Sequence, residues 1–169
     1  MHFFNIRVYG ILTGPENEIL VSDEYISGGY YTKFPGGGLE FGEGTRDCLA
    51  REFIEEMNLR VSVEEHLYTT DFFQMSAFNP DHQIVSIYYR VKALETITVP
   101  LRTKPFHFDV VQLEAYAKNG EIETFRFIPQ NQFSSNSVTL PIDKIVATMI
   151  QGKISPQQIN QSTENQQTK

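Results

Sequence analysis

The chain has 169 residues, enough for one domain around one hydrophobic core. Its apolar fraction of 40%, with 13 Phe and 8 Tyr, is a globular composition, and no apolar run approaches the length of a membrane-spanning helix. A formal net charge of -7 excludes a general electrostatic grip on a nucleic-acid polymer, although an acidic protein still binds a phosphorylated small molecule when metal ions stand between the charges.

Cys48 is the single cysteine, so no internal disulfide forms, which suits a reducing compartment. The first ten residues, MHFFNIRVYG, lack the basic start and apolar stretch of a secretory signal. A soluble, cytoplasmic protein without membrane contact is therefore expected.

Residues 3 to 13, FFNIRVYGILT, are β-branched and aromatic and predict a strand. GPEN (14 to 17) predicts a turn and EILVSDEYI (18 to 26) a partner strand. Gly28 and Gly29 break the pattern before a short strand, YYTKF, and a glycine-rich loop, PGGGLEFGEG. A helix is predicted from Thr45, a plausible N-cap, to Asn58, which tolerates the left-handed conformation of helix ends. Residues 59 to 73 return to strand character, 75 to 82 (MSAFNPDH) form a loop, and 83 to 93 (QIVSIYYRVKA) are again strand-like. The stretch 94 to 120 gives no decisive pattern. EIETFRFIP (121 to 129) predicts a strand, and LPIDKIVATMIQ a helix with Pro141 in its first turn. From Lys153 the chain is Gln/Asn-rich and apolar-poor, so one domain over 1 to 152 and a disordered tail over 153 to 169 are expected. Strands interleaved with two clear helices predict an α+β fold, a mixed β-sheet with helices packed on its faces.

Chemistry concentrates in residues 37 to 59, GGLEFGEGTRDCLAREFIEEMNL. On a helical wheel, Arg51, Glu52, Glu55 and Glu56 fall in one arc of about 140°, and Leu49, Ala50, Phe53, Ile54 and Met57 in another. The first arc places like charges three and four residues apart, each pair destabilising a helix by roughly 0.2 to 0.5 kcal/mol. Arg51 offsets Glu55, while Glu52 and Glu56 have no partner on the same face. A hard divalent cation would supply one, since magnesium and manganese prefer oxygen ligands. The preceding glycines let the backbone approach a ligand closely.

Together these residues resemble the Nudix box, G-x5-E-x7-R-E-U-x-E-E-x-G-U with U a bulky apolar residue. Gly37, Glu43, Arg51, Glu52, Glu55 and Glu56 fill its fixed positions, and Phe34-Pro35-Gly36 resembles the usual lead-in. Asn58 replaces the glycine near the end of the box, and Phe53 is larger than the usual aliphatic. The resemblance implies an αβα sandwich that hydrolyses diphosphate linkages with Mg2+, or Mn2+ in its place. It implies Glu52, Glu55 and Glu56, with the Gly37 carbonyl, as metal ligands, Glu52 and Glu55 as catalytic acids, Arg51 as the residue orienting Glu55, and Glu43 as a support of the loop. A further glutamate from a later segment commonly assists, and Glu114, Glu121 and Glu123 are the candidates.

The expected substrate is a nucleoside diphosphate derivative, either a nucleoside triphosphate or a nucleotide-sugar. The loop from Asp71 to His82 is the candidate specificity segment, with Phe78 and Tyr31 offering aromatic faces and Gln74 and Asp81 meeting ribose or base edges. No nucleic-acid polymer is expected as partner, and a homodimer is compatible with these features. The second reading is a Nudix fold retired from catalysis and used as a ligand-sensing or interaction module. Retired copies tend to lose box acids, and all of them are present here.

Overall fold

The computed structural model describes residues 1–152, and the tail expected over 153 to 169 lies outside them. Seven strands run β1 (Phe3–Leu12), β2 (Glu18–Ile26), β3 (Gly29–Lys33), β4 (Gly36–Gly38), β5 (Val61–Thr69), β6 (His82–Ala93) and β7 (Glu121–Pro129). Three helices are α1 (Thr45–Met57), α2 (Val110–Asn119) and α3 (Pro141–Ile150). The strands form a four-stranded sheet, β4-β1-β6-β5, and a three-stranded sheet, β3-β2-β7. β1 and β6 are parallel, while the other pairings are antiparallel, so the first sheet is mixed. The α+β class expected from the sequence is the one adopted.

Alternation along the strands sorts the core into two faces. Val8 and Leu12 of β1, Leu20 of β2 and Tyr89 and Val91 of β6 pack with Leu49, Phe53 and Met57 of α1. Their neighbours Tyr9, Ile11, Ile19, Val21 and Tyr88 pack with Ile142, Val146 and Ala147 of α3. Phe53 fits because Gly10 lies opposite, where a β-carbon would stand 2.7 Å from the Phe53 ring.

Helix α1 ends as its sequence predicts, with Asn58 in the left-handed region at φ 48° and ψ 42°. Its start differs. Gly44, not Thr45, holds the cap position and makes no side-chain cap, while the Thr45 hydroxyl lies 2.8 Å from the Tyr89 hydroxyl. Ile54, placed on the core stripe by the wheel, is 48% exposed, because the stripe that packs is Cys48, Leu49, Phe53 and Met57. Within the predicted glycine loop, Gly36–Gly38 forms β4 against β1. The undecided stretch contains α2, which begins with a capping box between Asp109 and Gln112 and buries none of its residues. Among the described residues no helix is long and apolar enough to cross a membrane.

Candidate active site

Two charge clusters meet beside the β4 glycines. The first is centred on Arg51 of α1. Its guanidinium pairs with Glu43 at 2.7 and 3.1 Å, Glu52 at 3.0 Å and Glu55 at 2.9 Å, and also donates to the Gly38 carbonyl at 3.1 Å. One planar fork thus fixes the helix acids and the loop before them. Hydrogen bonding to Arg51 and to the Glu40 amide draws the Glu43 carboxyl down to about 2. Glu52, which the wheel leaves without a partner, therefore shares Arg51. Its carboxylate also lies against Gly37, where a β-carbon would come within 2.4 Å of it.

The second cluster is centred on Lys33, at the end of β3. This lysine is 3% exposed. Its ammonium donates to the Gly36 carbonyl at 3.0 Å and lies 2.8 Å from Glu24, 3.8 Å from Glu56 and 3.8 Å from Glu123. The Glu56 partner missing from the helix face thus comes from another element, and the Gly36 amide also donates to Glu56 at 3.3 Å. Glu123 further accepts from the Ser22 hydroxyl. Of the three later glutamates, the fold brings Glu123 here, leaves Glu114 on the exposed surface of α2, and puts Glu121 at the rim of the adjoining cavity.

Burial opposes the Lys33 charge, but Glu123, Glu56 and Glu24 outweigh it and hold the ammonium well above its ordinary range. Burial pushes Glu56 up to about 8, and it raises Glu123 as well. Both directions follow from the charge count. Three carboxylates share one buried ammonium, which favours the charged lysine and disfavours the charged forms of Glu56 and Glu123.

Among the described residues no three His, Cys, Asp or Glu side chains converge tightly enough to hold a metal ion as they stand. The carboxylates turn to Arg51 and Lys33 instead. In chemistry the donor set still fits a hard cation, being all oxygen, partly buried and short of positive charge. Cys48 is buried, its thiol pushed up to about 12 by burial first and by Glu43 second, so it is no nucleophile.

Beside these clusters a cavity of about 200 Å³ opens. Tyr31, Gln74 and Phe78 line it, with the Tyr31 and Phe78 rings edge-on at 5.1 Å. Asp81 lies outside this lining and faces His2 at 3.5 Å. Arg7, Lys33 and Asp143 also line it. Asp143 is 1% exposed, accepts the Tyr88 hydroxyl at 2.6 Å on one oxygen and leaves the other without a partner. Sequence reading missed Lys33, Glu24, Arg7 and Asp143. The available signal was a charge inside otherwise strand-like or apolar segments, as in FFNIRVYGIL and YYTKF.

A model of the NUDIX domain matches residues 4–148. The chain belongs to the NUDIX family. Its enzyme class is that of the Nudix pyrophosphohydrolases, which generally use divalent metal ions. Solved structures share the fold at low identity. A UDP-X diphosphatase is 18% identical with a TM-score of 0.57, over 89% of this chain and 64% of that one, under two thirds of its length. An ADP-ribose pyrophosphatase from Streptococcus suis is 14% identical with a TM-score of 0.54, over 86% and 90%. A MutT structure from work on Aliivibrio salmonicida and Vibrio cholerae is 16% identical with a TM-score of 0.54, over 89% and 99%. The Nudix box lies on α1 and the loop before it, so it supplies the Arg51 cluster and, through Glu56, one acid of the Lys33 cluster.

Proposed function

We propose that the protein hydrolyses a diphosphate linkage in a nucleoside diphosphate derivative, of the nucleoside triphosphate or nucleotide-sugar type, with Mg2+ as cofactor and Mn2+ able to replace it. The observation that carries this reading is the junction of an acid cluster, three carboxylates around a single ammonium, with an aromatic-walled cavity. The names of two matched structures, a UDP-X diphosphatase and an ADP-ribose pyrophosphatase, belong to the same reaction class.

Glu52, Glu56 and the Gly37 carbonyl would hold the metal, with Glu55 and Glu123 at its margin. The metal supplies charge neutralisation on the phosphate oxygens and a more acidic water. Glu52 takes the proton of the attacking water, and the bridging P–O bond breaks as the new one forms. Arg51 holds Glu52 and Glu55 at the separation this requires. Tyr31 and Phe78, edge-on to one another, form a wall on which a flat ring packs, with Asp143 at the floor of the cavity.

The test is a panel of nucleoside triphosphates, nucleotide-sugars and ADP-ribose with Mg2+, scored by products in 18O-labelled water to show which phosphorus is attacked. Turnover of at least one member that chelation abolishes is the expected result. Tight binding of a nucleotide without any hydrolysis would favour the ligand-sensing reading instead.

A further inference from the structure

The two cations that line the cavity are used differently. Lys33 is saturated, its ammonium given to the Gly36 carbonyl and three carboxylates. Arg7 is not. This half-buried residue donates one hydrogen bond, from Nε to the Tyr9 hydroxyl at 3.0 Å. Among the described residues it has no carboxylate within ion-pair distance. Arg7 and Lys33 each stand 5.8 Å from the centre of the Tyr9 ring, so the two cations share that ring. Half-desolvated N–H groups are costly to keep unless something anionic answers them, and Glu24 and Glu52 act on Arg7 only from beyond ion-pair distance.

Register says where that anion would sit. Arg7 pairs with Gly38 and Val8 with Gly37, so the Arg7 side chain lies on the sheet face opposite Val8, where it lines the cavity together with Glu24 and Lys33. Tyr31 and Phe78 wall the same cavity. A group held by Arg7 therefore shares one cavity with Glu24 and Lys33 of the acid cluster and with the aromatic wall. We infer that Arg7 binds the phosphoryl group on the nucleoside side of the substrate's diphosphate, its planar fork taking two oxygens. The inference rests on the hydrolase reading above, and it makes Arg7 a selector for substrates that carry an anion at that place.

The experiment compares wild type, Arg7→Met and Arg7→Lys with the best substrate of the panel, its nucleoside monophosphate and its nucleoside. Arg7→Met is expected to raise KM and weaken the monophosphate by about tenfold or more, the loss of charged hydrogen bonds. Nucleoside affinity and the calorimetric Kd for Mn2+ alone should not move, and Arg7→Lys should fall between. If Arg7→Met does not fold, Arg7→Lys and Arg7→Gln carry the same comparison. Equal monophosphate affinity in wild type and variant overturns the inference, as does equal loss for monophosphate and nucleoside. A wild type inactive on the whole panel overturns the hydrolase reading and this inference with it. An active wild type with an indifferent Arg7→Met removes this inference alone.

Discussion

The carboxylate of Glu52 rests on the bare α-carbon of Gly37, with room for nothing larger than hydrogen, since a β-carbon would come within 2.4 Å of it. Gly37 keeps an ordinary backbone conformation. Alanine there therefore strains no backbone and meets only the end of a flexible side chain. Gly37→Ala is expected to hold its melting temperature while turnover falls by about a hundredfold, the scale for misplacing a catalytic group by about 1 Å. Unchanged kcat, measured beside the thermal midpoint, would remove Glu52 from the reacting centre.

Glu56→Gln is expected to lose most turnover while the metal-free protein becomes no less stable. Burial moves the Glu56 carboxyl from 4.5 to about 8. A raised acid favours the folded state below its unfolded value, and that contribution is lost as pH climbs to the folded value. The neutral glutamine escapes this loss. The melting-temperature difference between variant and wild type, in chelator, should therefore grow from pH 5 to pH 8. A variant with wild-type activity would detach Glu56 from the metal.

Asp143→Asn probes the floor of the cavity. Burial takes this carboxyl from 3.8 to about 7, against the Tyr88 hydrogen bond and the charges of Lys33 and Arg7, with Glu24 adding to the rise. Wild-type stability should accordingly fall more steeply between those two values than that of the asparagine protein, which keeps only the Glu56 contribution to the fall. Denaturant midpoints at pH 4, 6 and 8 read this directly. A constant difference across that range would mean that Asp143 stays ionised in the fold.

Phe78→Ala is expected to raise KM for the best substrate by about tenfold, with the metal requirement unchanged. The ring is 52% exposed and edge-on to Tyr31, a wall of the cavity more than a part of the core. If the panel keeps both its ranking and its KM values, the base is held elsewhere.

Much of this was legible in the sequence because it is local. The acid arc of α1, the left-handed Asn58 and the strands from Glu18 and from Glu121 follow from periodicity and cap chemistry within a few residues. Helix α2 was not, because it buries none of its residues and so carries no apolar stripe, and its Val110 and Val111 read as strand. Lys33 was missed for a different reason. Its meaning depends on Glu24, Glu56 and Glu123, which belong to β2, α1 and β7, and only the pairing of Ser22 with Lys33 and of Glu24 with Glu123 brings them together. Gly10 beneath Phe53 is likewise a pairing across the fold, and it explains why a larger ring is accepted in the box.

Lys33 and Glu123 belong to the three-stranded sheet, whereas Glu56 rides on a helix that packs on β1, β4 and β5 of the other. The proposed reaction centre is therefore also a charged tie between two halves of the protein. Any ligand that gathers those acids should clamp the halves together, and amide exchange should slow at once in strands on both sides of the seam, far from the bound group. Inheritance is constrained in the same way, because a lineage that loses Lys33 or Glu56 gives up this tie and leaves the joint to the two hydrophobic clusters alone.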